Sequence, residues 1–225
     1  MQRGGRMARI KTTQEFHFSV EGETEKWYFE WLSRQIKNDP KATKNAKIIC
    51  KIRSPIKYIR GLVMIFPVEV THVFDYESHD PIHTSRFKKT LSDMNEAEGL
   101  GREVKYASGY SNFAFELWIL LHATDSFGGL AHRSQYLKPI NRVYGENLEN
   151  LDQFKHERNL KRVLGKISLQ NVKDAIIRAK AIQNRNKENG YKLREYKGFT
   201  YYKENPSLAI WESVEKILHT CGIIE

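Results

Sequence analysis

The sequence lacks the features of several familiar protein classes. Its only two cysteines, Cys50 and Cys221, exclude a disulfide framework and a cysteine-based zinc site. No apolar run reaches the ~18 residues that a membrane-spanning helix needs, since the most apolar stretch, residues 113–123, is short and contains Glu116. No Gly-x-x-x-x-Gly-Lys-Ser/Thr motif is present, which excludes a P-loop for ATP. No apolar segment follows the basic N-terminus, so we expect no secretory signal and a cytoplasmic location.

The net charge of +10 is concentrated in two parts of the 225-residue chain. Residues 161–200 contain eleven lysines and arginines against three acidic residues, and residues 1–11 contain four basic residues and no acidic one. Residues 12–160 are balanced, with twenty residues of each sign. A basic segment of this kind suits a polyanion such as nucleic acid. A solvated helical face would give the same composition, so charge alone leaves both interpretations open.

Apolar patterns predict an α/β fold for the first half of the chain. Strand-like segments alternate with segments of helical spacing, which favours a mostly parallel sheet with crossover helices. Thr24 and Asn112 are expected to cap the helices that follow them. We predict strands at 15–20, 46–52, 68–74 and 103–108, and helices at 24–37, 55–66, 85–98 and 113–122.

The charge and apolar patterns together predict three regions. Residues 1–13 form a flexible basic tail, and residues 14–127 form the α/β core. Residues 128–225, beginning at a pair of glycines, form a basic segment that packs on or beside the core. This segment is helical from about 147 to 189, so the predicted fold class is an α/β core with a C-terminal helical basic extension.

Acidic side chains fall where the predicted strands end. Glu21 follows the first strand and Glu25 lies one turn into the next helix, while Asp75 and Glu77 follow the third strand. Glu116 lies in the first turn of an almost wholly apolar helix. Ligands of open α/β sheets bind outside the carboxyl ends of the strands, so three separate segments direct carboxylates to one edge.

Carboxylates that cluster need a counter-charge, because two charges about 4 Å apart repel by about 4 kcal/mol at an effective dielectric constant of about 20. Hard carboxylate oxygens select Mg²⁺ or Mn²⁺, which can act on phosphodiesters. Each acid also has a simpler interpretation: Glu25 can interact with the helix dipole, Glu21 can belong to a turn and Asp75 can cap the next segment. No such simple interpretation suits Glu116, because its neighbours are apolar and a buried carboxylate needs a partner or a metal.

Four segments carry a resemblance to a known family. Residues 20–25 read Val-Glu-Gly-Glu-Thr-Glu, residues 74–77 read Phe-Asp-Tyr-Glu, and residues 111–122 read Ser-Asn-Phe-Ala-Phe-Glu-Leu-Trp-Ile-Leu-Leu-His. Residues 205–207 read Asn-Pro-Ser and precede an apolar helix. In this order the segments resemble the motifs of the RloB-like proteins, which are Toprim-related proteins often encoded in phage-defence and restriction loci. The resemblance covers roughly residues 14–218 and is most specific in the third segment.

The resemblance implies a Toprim-like α/β fold with a divalent-metal site. In related Toprim nucleases an acid after the first strand and a later Asp-x-Asp motif bind the metal. Carried over by motif, Glu21, Asp75 and Glu77 are the metal ligands, and Glu25 and Glu116 complete the catalytic set. A separate AAA-type ATPase is a partner implied by the resemblance alone.

Two positions depart from the family pattern. Glu77 stands where the second aspartate is expected, and its longer side chain changes the reach of the carboxylate; Asp80 is near enough to substitute. Phe113 replaces a proline at the expected first helical position, where proline is pre-set for a helix start.

The leading hypothesis is therefore a Mg²⁺- or Mn²⁺-dependent nuclease that acts in anti-phage defence. Two rivals stay open: a binding or sensor module that recognises nucleic acid without cutting it, and an adaptor for an ATPase. DNA or RNA as substrate, and the oligomeric state, are left undetermined. The residues expected to bind nucleic acid are Lys161, Arg162, Lys166, Arg178, Lys180, Arg185, Lys187, Lys192, Arg194 and Lys197.

Overall fold

The structure, a computed structural model, describes residues 11–63, 67–100, 103–125 and 130–225. Its first part alternates strands and helices as the sequence predicts. The elements are β1 (Thr12–Val20), α1 (Glu23–Asn38), β2 (Lys44–Ile52), α2 (Pro55–Arg60), β3 (Val68–Tyr76), α3 (Pro81–Glu98), β4 (Val104–Asn112) and α4 (Glu116–Leu121).

The second part is mainly helical, which confirms the predicted C-terminal extension, and it adds a hairpin that the sequence analysis did not predict. After a 3₁₀ turn at Arg133–Tyr136, the elements are α5 (Leu137–Tyr144), α6 (Leu151–Phe154), α7 (Glu157–Leu164), α8 (Leu169–Glu188), β5 (Arg194–Tyr196), β6 (Phe199–Tyr201) and α9 (Ile210–Thr220).

Among the described residues, four strands form one parallel sheet in the order β2-β1-β3-β4. This confirms the predicted α/β fold and agrees with a Toprim-like arrangement. The chain crosses from β1 to β2 on one side and from β3 to β4 on the other, so the order reverses between β1 and β3. A crevice for ligands opens at such a switch point, at the carboxyl ends of the strands.

Each face of the sheet has its own apolar core. Phe18 and Val20 of β1 pack with α1, α4 and the C-terminal helices on one face, whereas Val70 and Phe74 of β3 pack with α2 and α3 on the other. Because side chains alternate along a strand, Asp75 lies on the same face as Val73, which belongs to the α1 and α4 core. The strand period thus directs Asp75 towards the helices that carry Glu25 and Glu116.

Several predicted element ends differ from those observed. The helix predicted at 55–66 ends at Arg60, and the described part of the chain has a gap at 64–66. The helix predicted from residue 113 begins at Glu116, so Phe113 is not at its first position. Gly22, not Thr24, precedes the first turn of α1. The predicted boundary at residues 128–129 and most of the basic tail lie outside the described residues.

Asn112 is the clearest case of tertiary contacts overriding local pattern. It ends β4 and does not cap α4. Its backbone N–H donates to the carbonyl of Ser207 at 2.9 Å, and its side-chain amide donates to carbonyls of Lys203 and Glu204, each at 3.0 Å. β4 pairs with β3 as far as Asn112, and the C-terminal segment supplies further hydrogen-bond partners that a local pattern does not reveal.

In the described ranges, no helix combines the length and the apolarity that a bilayer crossing requires.

Candidate functional site

Four of the five predicted catalytic acids lie at the crevice between β1 and β3. Glu21 directly follows β1, Asp75 is the penultimate residue of β3, Glu25 lies in the first turn of α1, and Glu116 is the first residue of α4. The charges of Glu21, Glu25 and Glu116 all act on Asp75. Four carboxylates from three separate segments therefore share one electrostatic environment, which we call the acidic cluster.

The cluster contains carboxylate oxygens that are buried without hydrogen bonds. The side chains of Glu25 and Glu116 are 6% and 1% exposed. Oε2 of Glu25 and both carboxylate oxygens of Glu116 have no hydrogen-bond partner among the described residues. Such groups are rare in folded proteins because burial without a partner costs free energy, so they mark a position where a ligand or ion completes the structure.

Three acids of the cluster, Glu21, Glu25 and Asp75, have raised pKa values. Burial, and then the charge of Glu116, raise the pKa of Glu25 to about 7 against the opposing effect of its own backbone N–H. Burial and the charges of Glu25, Glu116 and Glu21 raise the pKa of Asp75 well above its ordinary value. The pKa of Glu21 is also raised, chiefly by desolvation, although its side chain retains solvent-exposed area. A bound cation would reverse this tendency.

Gly22 is needed because the Glu25 carboxylate lies directly against its backbone. A Cβ atom at position 22 would lie 2.8 Å from Oε2 of Glu25. That separation is too short for an ordinary contact with carbon, so any other residue there would displace the carboxylate. The glycine of the Val-Glu-Gly-Glu-Thr-Glu segment thus allows Glu25 to fold back over the start of its own helix.

Lys155 is the functional candidate that the sequence analysis missed. It follows α6, and its Nζ lies 3.8 Å from Oε1 of Glu116 with 39% of the side chain exposed. Desolvation opposes its charge, but Glu116, Asp75 and Glu25 outweigh that effect and raise the pKa of the ammonium group. A lysine at this sequence distance gives no local signal; only the requirement of Glu116 for a counter-charge pointed to a cation.

Glu77, predicted as a metal ligand, lies at the rim of the crevice. One of its carboxylate oxygens accepts a hydrogen bond from Nη1 of Arg133 at 3.0 Å and lies 3.7 Å from Nε2 of His83. Its charge raises the pKa of Glu21. Asp80, the possible substitute, caps α3 by accepting from the backbone N–H of His83 at 2.9 Å. Neither side chain is a member of the buried group.

The predicted nucleic-acid-binding residues divide into two groups. Five already have partners within the chain: Lys161 pairs with Glu157, Arg162 and Lys166 pair with Glu146, Lys180 pairs with Glu215, and Arg178 donates to the carbonyl of Leu121. The other five are exposed and have no carboxylate partner in the part of the chain that the structure describes: Arg185, Lys187, Lys192, Arg194 and Lys197.

The donor chemistry of the acidic cluster fits a hard divalent cation. Unpaired carboxylate oxygens are the ligands that Mg²⁺ and Mn²⁺ prefer. Across residues 11–63, 67–100, 103–125 and 130–225, however, no three acidic, histidine or cysteine side chains are close enough to form a ready coordination shell. The ammonium of Lys155 supplies the positive charge at this position.

If Lys155 supplies the counter-charge, replacing it should destabilise the protein. We expect Lys155→Met to lower the free energy of unfolding by about 1–2 kcal/mol at about pH 8 in EDTA, less than for a fully buried pair because the lysine is partly exposed. Urea unfolding measures this. The matched control is Lys161→Met, which breaks an exposed pair with Glu157 and should cost about 0.5 kcal/mol or less. Equal losses in the two variants would contradict the role of Lys155.

Comparison with known proteins gives one match. The sequence fits the family model of the RloB-like protein over residues 18–217, which is most of the chain. No curated protein and no solved structure matches it. The matched range includes every member of the acidic cluster and the Lys155 that faces it. The chain belongs to the RloB-like protein family.

Proposed function

We propose that this protein is a metal-dependent nuclease of the Toprim class that hydrolyses nucleic-acid phosphodiesters in defence against phage. One observation carries the proposal: four carboxylates from three separate segments converge on the switch point of a parallel sheet, with buried oxygens that lack hydrogen-bond partners among the described residues. Residue clusters with strongly shifted pKa values in a crevice are typical of functional sites. The role in defence rests on the family resemblance.

Glu25, Asp75, Glu116 and Glu21 are the residues that would hold Mg²⁺ or Mn²⁺. When bound, the ion supplies Lewis-acid stabilisation of the charge that develops on a phosphodiester. Their buried position leaves Oε2 of Glu25 and both carboxylate oxygens of Glu116 free of competing hydrogen bonds from the described residues. Glu77, held by Arg133 at the rim, would orient groups that enter the crevice and would not belong to the ligand set.

The proposal predicts that Glu21→Ala and Asp75→Ala abolish Mn²⁺-dependent cleavage. We expect each variant to cut a labelled DNA or RNA strand at least about 100-fold more slowly than the unaltered protein, because each removes a carboxylate from the proposed site. Calorimetric titration with Mn²⁺ should show weaker binding in both variants. Far-UV circular dichroism verifies that they fold.

Glu23→Ala is the matched control for this experiment. Glu23 also lies in the first turn of α1, but it is exposed and pairs with Lys26. Cleavage and Mn²⁺ affinity should be unchanged in this variant. Cleavage at the unaltered rate in both Glu21→Ala and Asp75→Ala would refute the nuclease assignment.

A second candidate is a non-catalytic module that binds nucleic acid and works with an AAA-type ATPase. The absence of a ready coordination shell among the described residues favours it, as does the pairing of Glu77 with Arg133. A folded protein that binds nucleic acid but takes up no Mn²⁺ at millimolar concentration would support this candidate over the nuclease.

A further inference from the structure

A cavity of about 420 Å³ adjoins the acidic cluster on the α2 and α3 side of the sheet. Glu21 lines it, the connection from β2 to α2 contributes Arg53, and α2 contributes Lys57. The buried ring of His72 also lines it, with Nδ1 2.8 Å from Oγ of Ser19. The cavity therefore joins an acid of the proposed reaction site to two cations that neither charge pattern nor motif had singled out.

Both cations are available to a ligand. The side chains of Arg53 and Lys57 are exposed, and neither pairs with a carboxylate in the described part of the chain. The other acid that lines the cavity, Asp93, is engaged by Lys89, whose Nζ lies 2.9 and 3.0 Å from its two carboxylate oxygens. This contrasts with the basic residues of α7 and α8, several of which are neutralised within the chain.

The side chain of Arg53 lies against the end of α2. Its Nη1 lies so close to Gly61, at the end of α2, that a Cβ atom there would be only 2.7 Å away. Gly61 thus leaves room for the guanidinium group, and the carboxyl end of a helix favours a cation. A guanidinium group presents its donors in a planar arrangement that matches phosphate oxygens.

His72 contributes shape to this cavity and carries no charge at neutral pH. Burial lowers the pKa of its ring to about 3. The cations that face a ligand are therefore Arg53 and Lys57.

We propose that this cavity binds a phosphate of the nucleic-acid backbone, held by Arg53 and Lys57 next to Glu21. The inference rests on the proposed function, because it places the substrate backbone at the same edge of the sheet as the acidic cluster. A phosphate group fits a polar cavity with two unpaired cations, because its oxygens can accept the paired N–H donors of a guanidinium group.

The test measures binding without cleavage. Fluorescence anisotropy in EDTA would compare the unaltered protein with the double variant Arg53→Gln/Lys57→Gln, using a short labelled oligonucleotide in DNA and RNA forms. We expect affinity to fall by about 10-fold or more for at least one form. The slope of log affinity against log salt concentration should fall by about 1.

Arg60→Gln is the matched control. Arg60 is an exposed arginine on α2 that does not line the cavity. Its replacement should change affinity by less than about 2-fold. Equal losses in the control and the double variant, or no loss in the double variant, would overturn the proposal. So would a loss of inorganic phosphate binding with unchanged oligonucleotide affinity, since the cavity would then be a small-anion site.

The outcome is separable from that of the nuclease proposal. Glu21→Ala should bind the oligonucleotide in EDTA at least as tightly as the unaltered protein, because it removes a carboxylate that repels phosphate and removes no cation. If the unaltered protein cuts nothing with Mn²⁺ while the double variant still loses affinity, the phosphate site stands and the nuclease proposal fails. If cleavage requires Glu21 but the double variant binds normally, the nuclease proposal stands and the phosphate site fails.

Discussion

Glu25→Gln is expected to stabilise the protein by about 3 kcal/mol at about pH 8 in EDTA. The native pKa of Glu25 is raised from 4.5 to about 7, chiefly by burial. The native state therefore binds a proton more tightly than the unfolded chain, and ionisation of Glu25 works against folding. The contribution of Glu25 to the free energy of unfolding falls as the pH rises from 4.5 through about 7, and it stays low at higher pH. A glutamine keeps the shape and cannot ionise.

Chemical denaturation across this pH range measures the effect. At about pH 4 the two proteins should unfold at similar denaturant concentrations, because Glu25 is protonated in both states. Glu30→Gln is the control, since Glu30 is exposed on the same helix; it should leave the pH profile unchanged. Added Mn²⁺ should stabilise the unaltered protein more than Glu25→Gln. If Glu25→Gln is no more stable than the unaltered protein at about pH 8, the ionisation of Glu25 does not destabilise the folded state.

Trp118→Ala is expected to destabilise the protein by about 4 kcal/mol, the largest loss predicted. Trp118 is completely buried in α4, the helix that begins with Glu116. Its ring contacts those of Tyr28 and His122 with centroid distances of 6.3 and 4.8 Å. Its carbonyl accepts a hydrogen bond from Nδ1 of His122 at 2.8 Å. Removing the indole leaves a cavity behind the acidic cluster.

Urea unfolding tests this expectation, with Trp27→Ala as the control. Trp27 lies on α1 and is only partly buried, so its loss should cost less than half as much. If Trp118→Ala fails to fold, Trp118→Phe gives a smaller loss that can still be measured. Equal stability of Trp118→Ala and Trp27→Ala would show that α4 does not depend on this packing.

The alternation of strand-like and helix-like segments in the sequence predicted the parallel sheet. The position of the acids after the strands predicted the edge at which they lie. The strand-like segments at 15–20 and 68–74, which Glu21 and Asp75 follow, predicted parallel strands, and this prediction is confirmed. The four resembling segments predicted the family, and the match over residues 18–217 confirms it. These predictions succeed because strand period, helix spacing and motif order are properties of contiguous residues.

Element ends were less predictable, because distant segments supply hydrogen bonds to them. β4 continues to Asn112 because it pairs with β3 over its whole length, and Asn112 also binds carbonyls of Lys203, Glu204 and Ser207. The local sequence favoured a helix cap at this residue. A polar side chain forms hydrogen bonds with the groups that the fold brings near it. For Asn112 these groups lie about 90 residues further along the chain.

Only the tertiary structure decided which charges meet. The sequence grouped Glu77 with Asp75 and gave no reason to single out Lys155 or Arg53. In the fold, Glu77 pairs with Arg133 and Lys155 lies close to Glu116. Arg53 lines the cavity beside Glu21. Electrostatic interactions depend on distance in space and on burial, neither of which a linear pattern specifies for residues on separate elements. The sequence by itself therefore determined that acids gather at one edge of a parallel sheet, and the packing of the C-terminal helices decided which cation faces them.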